Sequence, residues 1–100
     1  MLRFVVTYDL KDNQPDPHSP LLKLAPDYGW NRLIDCTDSK PIRQLPNTTL
    51  QGVFNTTADA TAAFRSLIAA TEAKTRRRIT VERVAFFIWS GGAIFDLNEF

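Results

Sequence analysis

Asp9 is the carboxylate with the clearest chemical potential in this sequence. It follows an apolar run, Leu2 to Tyr8, that is typical of a buried β-strand. A carboxylate at the end of a strand suits Mg²⁺ or Mn²⁺, which bind carboxylate, water and substrate phosphate and promote phosphodiester cleavage. Asp12 and Asp16 in the next segment would complete such a site. Alternatively, Asp9 caps that loop or pairs with Lys11.

The strongest local charge lies between residues 74 and 78. Lys74, Arg76, Arg77 and Arg78 place four cations within five residues. Such a cluster can contact the phosphates of DNA or RNA and release their counterions. The alternative is a solvated helix terminus, where cations complement the negative end of the helix dipole.

The other reactive residue types are isolated. His18 is the only histidine, so the chain alone cannot build a multi-histidine metal site. Cys36 is the only cysteine, which excludes an internal disulfide and favours a reducing compartment. Gly91 and Gly92 lack the spacing of a nucleotide phosphate loop. We therefore expect these four residues to have structural roles.

Length and composition predict one domain, residues 1–100. The hydrophobic fraction of 44% is ordinary for a globular chain of this size. A net charge of +1 gives no overall attraction to polyanions, so any nucleic-acid binding needs a local patch. No stretch approaches the roughly 18 apolar residues that span a bilayer, and the N-terminus lacks signal-peptide features. We expect a cytoplasmic protein without membrane contact.

The first half of the chain predicts strand, helix, strand and loop. The first strand covers Leu2 to Leu10. A helix begins with Ser19 as the N-cap and Pro20 at its first position, is shortened by Pro26, and ends at Gly29. The predicted second strand is Trp30 to Cys36, and Thr37 to Pro46 is predicted as a loop.

The second half predicts strand, helix and strand. Thr48 to Phe54 is the third strand. Thr56 and Asp59 open the second helix as a capping pair, and an apolar stripe follows at helical spacing, formed by Ala60, Ala63, Phe64, Leu67 and Ile68. Val81 to Trp89 is a strongly apolar fourth strand, and Ala93 to Leu97 is a candidate short fifth one. The order βαββαβ predicts an α+β, ferredoxin-like domain: an antiparallel sheet with both helices on one face.

The C-terminal residues predict an interface. Ile94, Phe95, Leu97 and Phe100 are large and apolar although they lie in a terminal segment, which is usually poorly ordered. They need a surface to cover, on this domain or on a second copy. We therefore expect a homodimer with these residues at the interface.

Three short stretches carry a family resemblance: residues 6–10 (VTYDL), 28–33 (YGWNRL) and 45–50 (LPNTTL). They resemble the small SinR-like bacterial proteins, which are similar to the CRISPR-adaptation endonuclease subunit and to VapD-type toxin ribonucleases. The resemblance implies a ferredoxin-like fold, homodimers formed through the sheets, and in some members metal-dependent nucleic-acid cleavage at the first-strand aspartate. The matching residue is Asp9. Two hypotheses follow: a metal-dependent nuclease, or a non-catalytic protein that acts by dimerisation or partner binding.

Overall fold

The computed structural model describes residues 1–11, 17–35, 42–45 and 47–94 of the chain. These residues form five strands and two α-helices, with a 3₁₀ turn at Ala25–Tyr28 directly after the first helix. The elements in chain order are β1 Leu2–Leu10, α1 His18–Leu24, β2 Leu33–Asp35, β3 Ile42–Gln44, β4 Thr49–Phe54, α2 Thr57–Thr75 and β5 Val81–Ile88.

The main sheet has three antiparallel strands in the order β4-β1-β5, so β1 is central. β2 and β3 form a separate two-stranded antiparallel sheet. The two sheets are joined where Asn31 and Gln51 exchange backbone hydrogen bonds, each with an N···O distance of 2.7 Å. The described part of the chain is therefore a small α+β structure built around one three-stranded sheet.

The core lies between the helices and one face of the main sheet, called here the inner face. Alternate residues of β1 point inward because successive side chains of a strand lie on opposite faces. These are Phe4, Val6, Tyr8 and Leu10, and all four are buried. α2 contributes a buried stripe at helical spacing, formed by Ala60, Phe64, Leu67 and Thr71.

Aromatic rings fill the centre of this core. Trp30 is fully buried, and its ring centroid lies 4.8 Å from the ring centroid of Phe54. The rings of Trp30 and Phe64 meet edge to face, with their centroids 6.1 Å apart. Phe64 also meets Phe86 edge to face at 5.9 Å. Each ring pair of this kind stabilises a core by roughly 0.5–1.5 kcal/mol in addition to the free energy gained from burying the rings.

Several local predictions are confirmed. β1 has the predicted bounds, Leu2–Leu10. The Thr56 hydroxyl accepts a hydrogen bond from the Asp59 backbone N–H at 3.1 Å, as a helix N-cap does. Gly29 ends the 3₁₀ turn with a φ of 85°, a left-handed conformation that glycine adopts without strain.

Other local predictions are wrong. α1 begins at His18, so Ser19 and Pro20 lie inside the helix, and its N-cap position is Pro17. Residues 42–44, predicted as loop, form β3, because β2 leaves the main sheet and finds its partner there. β2 begins at Leu33 rather than at the predicted Trp30, and Cys36 lies outside the described residues.

The predicted four-stranded sheet has three strands in the described residues. Ala93 and Ile94 are not in a strand, and the rest of the candidate fifth strand lies outside the described residues. Neither helix in the described ranges is long and apolar enough to cross a membrane.

Candidate functional site

Asp9 lies at the end of β1 on the outer face of the sheet, which is the face opposite the helices. Its side chain is exposed. The directly opposite residue on β5 is Arg83, also exposed, and the strand register shifts between Asp9 and Leu10. Residues opposite each other in an antiparallel pair share a face, so a carboxylate and a guanidinium are neighbours here.

The charged residues near Asp9 decide whether a metal ion could bind there. No group of three His, Cys, Asp or Glu side chains that could hold a metal occurs among the residues the structure describes. Arg83, the cross-strand neighbour, adds positive charge rather than a ligand. Asp12 and Asp16, the predicted additional ligands, lie outside the described residues. Within the described ranges, Asp9 thus belongs to no group of three possible metal ligands, and its cross-strand neighbour is a cation.

The basic cluster forms a fixed turn after α2. Arg76 ends the helix with a φ of 56°, in the left-handed region, and its backbone N–H donates to the Glu72 carbonyl. The Arg77 N–H donates to the same carbonyl at 3.3 Å. The Glu72 carboxylate accepts from the Ile79 N–H at 2.8 Å. Sequence reasoning missed Glu72, which holds the turn that carries the arginines.

All four cations of this basic turn, Lys74, Arg76, Arg77 and Arg78, are exposed. The turn leads into β5 at the same end of the sheet as Asp9. Leu10 pairs with Val81, and the Lys11 N–H donates to the Thr80 carbonyl at 2.9 Å. Arg78 is three residues before Val81, a stretch that spans at most about 11 Å. The structure therefore brings Asp9 and the basic turn to one end of the sheet.

β5 carries exposed apolar residues on both of its faces. Phe87 and Ile88 are each 59% exposed, and Val84 is 39% exposed. Phe87 lies opposite Val5 on the outer face, whereas Ile88 and Val84 lie opposite Phe4 and Tyr8 on the inner face. Val84, Phe87 and Ile88 are called the β5 surface below. Of the predicted interface residues, Ile94 is half-buried, and Phe95, Leu97 and Phe100 lie outside the described residues.

A cavity of about 350 Å³ with polar and apolar lining residues lies between β1, α1 and the start of β4, and sequence reasoning did not predict it. Its lining residues are Tyr8, His18, Leu22, Arg32, Asn47, Thr48 and Thr49. Burial raises the pKa of Tyr8 from its ordinary value of 10.0 to about 12, and the nearby charge of Arg32 opposes this shift. The only sequence signal for this cavity is the Asn-Thr-Thr turn before β4.

Comparison of the chain with protein-family models, with curated proteins and with solved structures gives no match. The architecture of the described residues defines the class of protein: a small α+β protein with a three-stranded antiparallel main sheet and two α-helices.

Proposed function

We propose that this protein is a dimerising or partner-binding domain that uses the β5 surface. The observation that carries the proposal is the exposure of Val84, Phe87 and Ile88 on an edge strand. A long apolar edge strand offers unpaired backbone groups and apolar side chains to another chain. A surface of this kind marks an interaction site.

Chain continuity connects the β5 surface with the predicted C-terminal interface. Ile94 follows the end of β5 by six residues, and Phe95, Leu97 and Phe100 come directly after it. We infer that these residues and the β5 surface belong to one homodimer interface. The single cysteine supports a cytoplasmic setting for this dimer.

We also infer a ferredoxin-like arrangement for the domain. In that arrangement the strand after the first helix lies beside the third strand, antiparallel to it. The Asn31–Gln51 bridge, which is antiparallel and adjoins β4, supports this position for the chain before β2. β2 then diverges to pair with β3, which leaves three strands in the main sheet.

Light scattering of the intact chain at micromolar concentration tests the dimer. The expected mass is about twice the chain mass of 11.3 kDa. Ile88→Lys should give a monomer, because a charge on an edge strand opposes pairing. Leu33→Lys is the matched control, since Leu33 is a similarly exposed apolar residue on β2. A monomeric intact chain, or a dimer that survives Ile88→Lys, would overturn the proposal.

The second candidate is a metal-dependent nuclease, as the SinR-like resemblance implies. The observation that favours it is the location of Asp9 and the basic turn at one end of the sheet. In this hypothesis Asp9 holds Mg²⁺ or Mn²⁺, which would neutralise charge on a phosphodiester, and the basic turn contacts phosphates of DNA or RNA. Asp9 of a second copy would supply a further carboxylate.

Asp9→Asn tests the nuclease hypothesis. The variant should lose cleavage of DNA or RNA in Mg²⁺ or Mn²⁺ and keep its fold, whereas Asp27→Asn, at another exposed carboxylate, should keep full activity. Replacing Arg76, Arg77 and Arg78 with Ala should flatten the dependence of log affinity on log salt, by about one unit for each phosphate that no longer pairs with an arginine. Wild-type protein that cuts neither nucleic acid in either metal would exclude this function.

A further inference from the structure

We propose that the cavity between Tyr8 and Arg32 binds the phosphate group of a small phosphate-bearing ligand. Its lining residues include neither Asp9, nor the cations of the basic turn, nor a member of the β5 surface, and the inference does not depend on the proposed function. Three observations support it: the charge of the lining, the number of hydrogen-bond donors, and a strained backbone at the rim.

The charge of the cavity favours an anion. Arg32 lines the cavity, and none of its described lining residues is acidic. A more open cleft of about 470 Å³ adjoins it, shares His18, Leu22 and Arg32, and adds Lys23. Two side chains that are always or usually charged, Arg32 and Lys23, therefore lie along one continuous depression without a described carboxylate beside them.

The cavity lining offers more hydrogen-bond donors than the two oxygens of a bound carboxylate would accept from. The Arg32 guanidinium has five N–H groups, and Tyr8 and Asn47 each bring a side chain that can donate, whereas the Thr49 hydroxyl already donates to the Asn47 carbonyl at 3.5 Å. Tyr8 is a protonated donor at neutral pH, as a tyrosine with the ordinary pKa of 10.0 would also be. A phosphate group presents three or four oxygens to such a set, and its pairing with Arg is strong and directional. A volume of about 350 Å³ is within the range of small-molecule sites, about 300–1,000 Å³.

The backbone around the cavity is held in place before any ligand arrives. The Arg32 carbonyl accepts from the Leu45 N–H at 2.6 Å, directly after the Asn31–Gln51 bridge. The Tyr8 N–H donates to the Thr48 carbonyl at 3.0 Å. Fixed positions on both sides reduce the entropy lost when a ligand is bound.

Thr48 is strained. Its φ is 60°, in the left-handed region that a β-branched residue rarely adopts. The Thr48 hydroxyl donates to the Asn47 carbonyl at 2.6 Å, which helps to hold this turn. Strain of this kind concentrates at ligand-binding positions. Here it presents Asn47 and Thr49 on the cavity wall.

The test is a calorimetric and NMR titration of the full chain at low salt with inorganic phosphate, glycerol phosphate and acetate. We expect saturable binding of a phosphate probe, with acetate at least tenfold weaker. Tighter binding of glycerol phosphate than of inorganic phosphate would assign a phosphomonoester, and equal binding would assign free phosphate.

Arg32→Gln should weaken phosphate binding at least tenfold, because it removes the charge and most of the donor fork. Arg65→Gln, which removes an exposed arginine of α2, is the matched control and should bind like the wild type. Should Arg32→Gln fail to fold in a thermal melt, Arg32→Lys replaces it, with an expected loss of about threefold to tenfold as the charge stays and the fork is lost. No saturable phosphate binding, acetate binding equal to phosphate, or an Arg32 variant that is folded and binds like the wild type would each overturn the proposal.

Discussion

β1 and β5 are hydrogen-bonded neighbours in one sheet, and both have apolar sequences with consecutive large residues. Their burial is nevertheless opposite. β1 buries every second residue, with Phe4 1% exposed and Val6 fully buried. β5 has no buried residue, and Phe87 and Ile88 are each 59% exposed. Position in the sheet, rather than hydrophobicity, separates the two strands.

The difference has a physical origin. β1 has a strand on each side and helical residues across its inner face, so its inward side chains are almost completely shielded from water. Among the described residues β5 is at the edge of the main sheet, and of its side chains Phe86 and Val81 pack against the core, each partly buried. The exposed apolar area of β5 would contribute about 25 cal/mol per Å² if another chain covered it, because burial removes apolar surface from water.

The largest expected effect compares two phenylalanines in these strands. Phe4→Ala should lower the free energy of unfolding by about 3–5 kcal/mol, because it leaves a cavity in the core. Phe87→Ala should lower it by less than about 1 kcal/mol at nanomolar concentration, where dilution opposes the proposed dimerisation. Urea denaturation of both variants measures this contrast. Equal losses would show that β5 is covered as fully as β1.

The same pair of variants also connects stability with assembly. At micromolar concentration, the loss caused by Phe87→Ala should grow, because association stabilises the folded state by mass action. The loss caused by Phe4→Ala should change less with protein concentration. A Phe87→Ala effect that is independent of concentration would separate the β5 surface from the dimer interface.

The next effect is the contribution of Tyr8 in β1 to the pH dependence of the free energy of unfolding. The pKa of Tyr8 is about 12 in the folded protein against 10.0 ordinarily, because its ring is buried. Between these pH values the unfolded chain has lost the phenol proton and the folded chain has kept it, so rising pH favours unfolding. The stabilisation is complete below pH 10 and should fall by up to about 1.4 kcal/mol per pH unit above it.

Tyr8→Phe provides the reference for this measurement, since it removes the titrating hydroxyl and keeps the ring. The difference between wild type and Tyr8→Phe in urea denaturation should be constant up to pH 10 and then shift in favour of the variant. A difference that stays constant to pH 12 would show that water reaches the Tyr8 hydroxyl freely.

The smallest expected effect compares two valines on the inner side of the strands. Val6 is fully buried and Val84 is 39% exposed. Valine and threonine have nearly the same shape, so Val→Thr tests burial of a hydroxyl with little change in packing. Val6→Thr should cost about 1–3 kcal/mol, and Val84→Thr less than about 0.5 kcal/mol, measured by thermal melting. Similar costs at both sites would contradict the edge position of β5.

The local structure could be predicted from the sequence where one short segment contains its own signal. The Thr56–Asp59 cap, the left-handed Gly29 and the alternation of β1 are of this kind, because each depends on residues within a few positions of one another. The start of the first helix is different. Ser19 and Pro20 form an N-terminal pattern that the chain does not use, because the helix already begins at His18.

The candidate sites divide in the same way. Asp9 and the four cations of the basic turn stand out in the sequence by type and spacing. The Tyr8–Arg32 cavity does not, because its residues come from positions 8, 18, 22, 32 and 47–49 and meet only when β1, α1 and the turn before β4 are assembled. Glu72 likewise gains its role in the basic turn from a hydrogen bond to Ile79, seven residues away.

The α+β composition, the central strand, and the second helix with its cap follow from local sequence patterns, because periodicity, capping and backbone preference act over a few residues. Long-range packing places β5 at an edge of the described main sheet, pairs β2 with β3 outside that sheet, and brings Arg32 and Tyr8 to the wall of one cavity. These outcomes depend on which segments pair and which surfaces remain uncovered. Such contacts join residues far apart in the chain, and no local pattern encodes them.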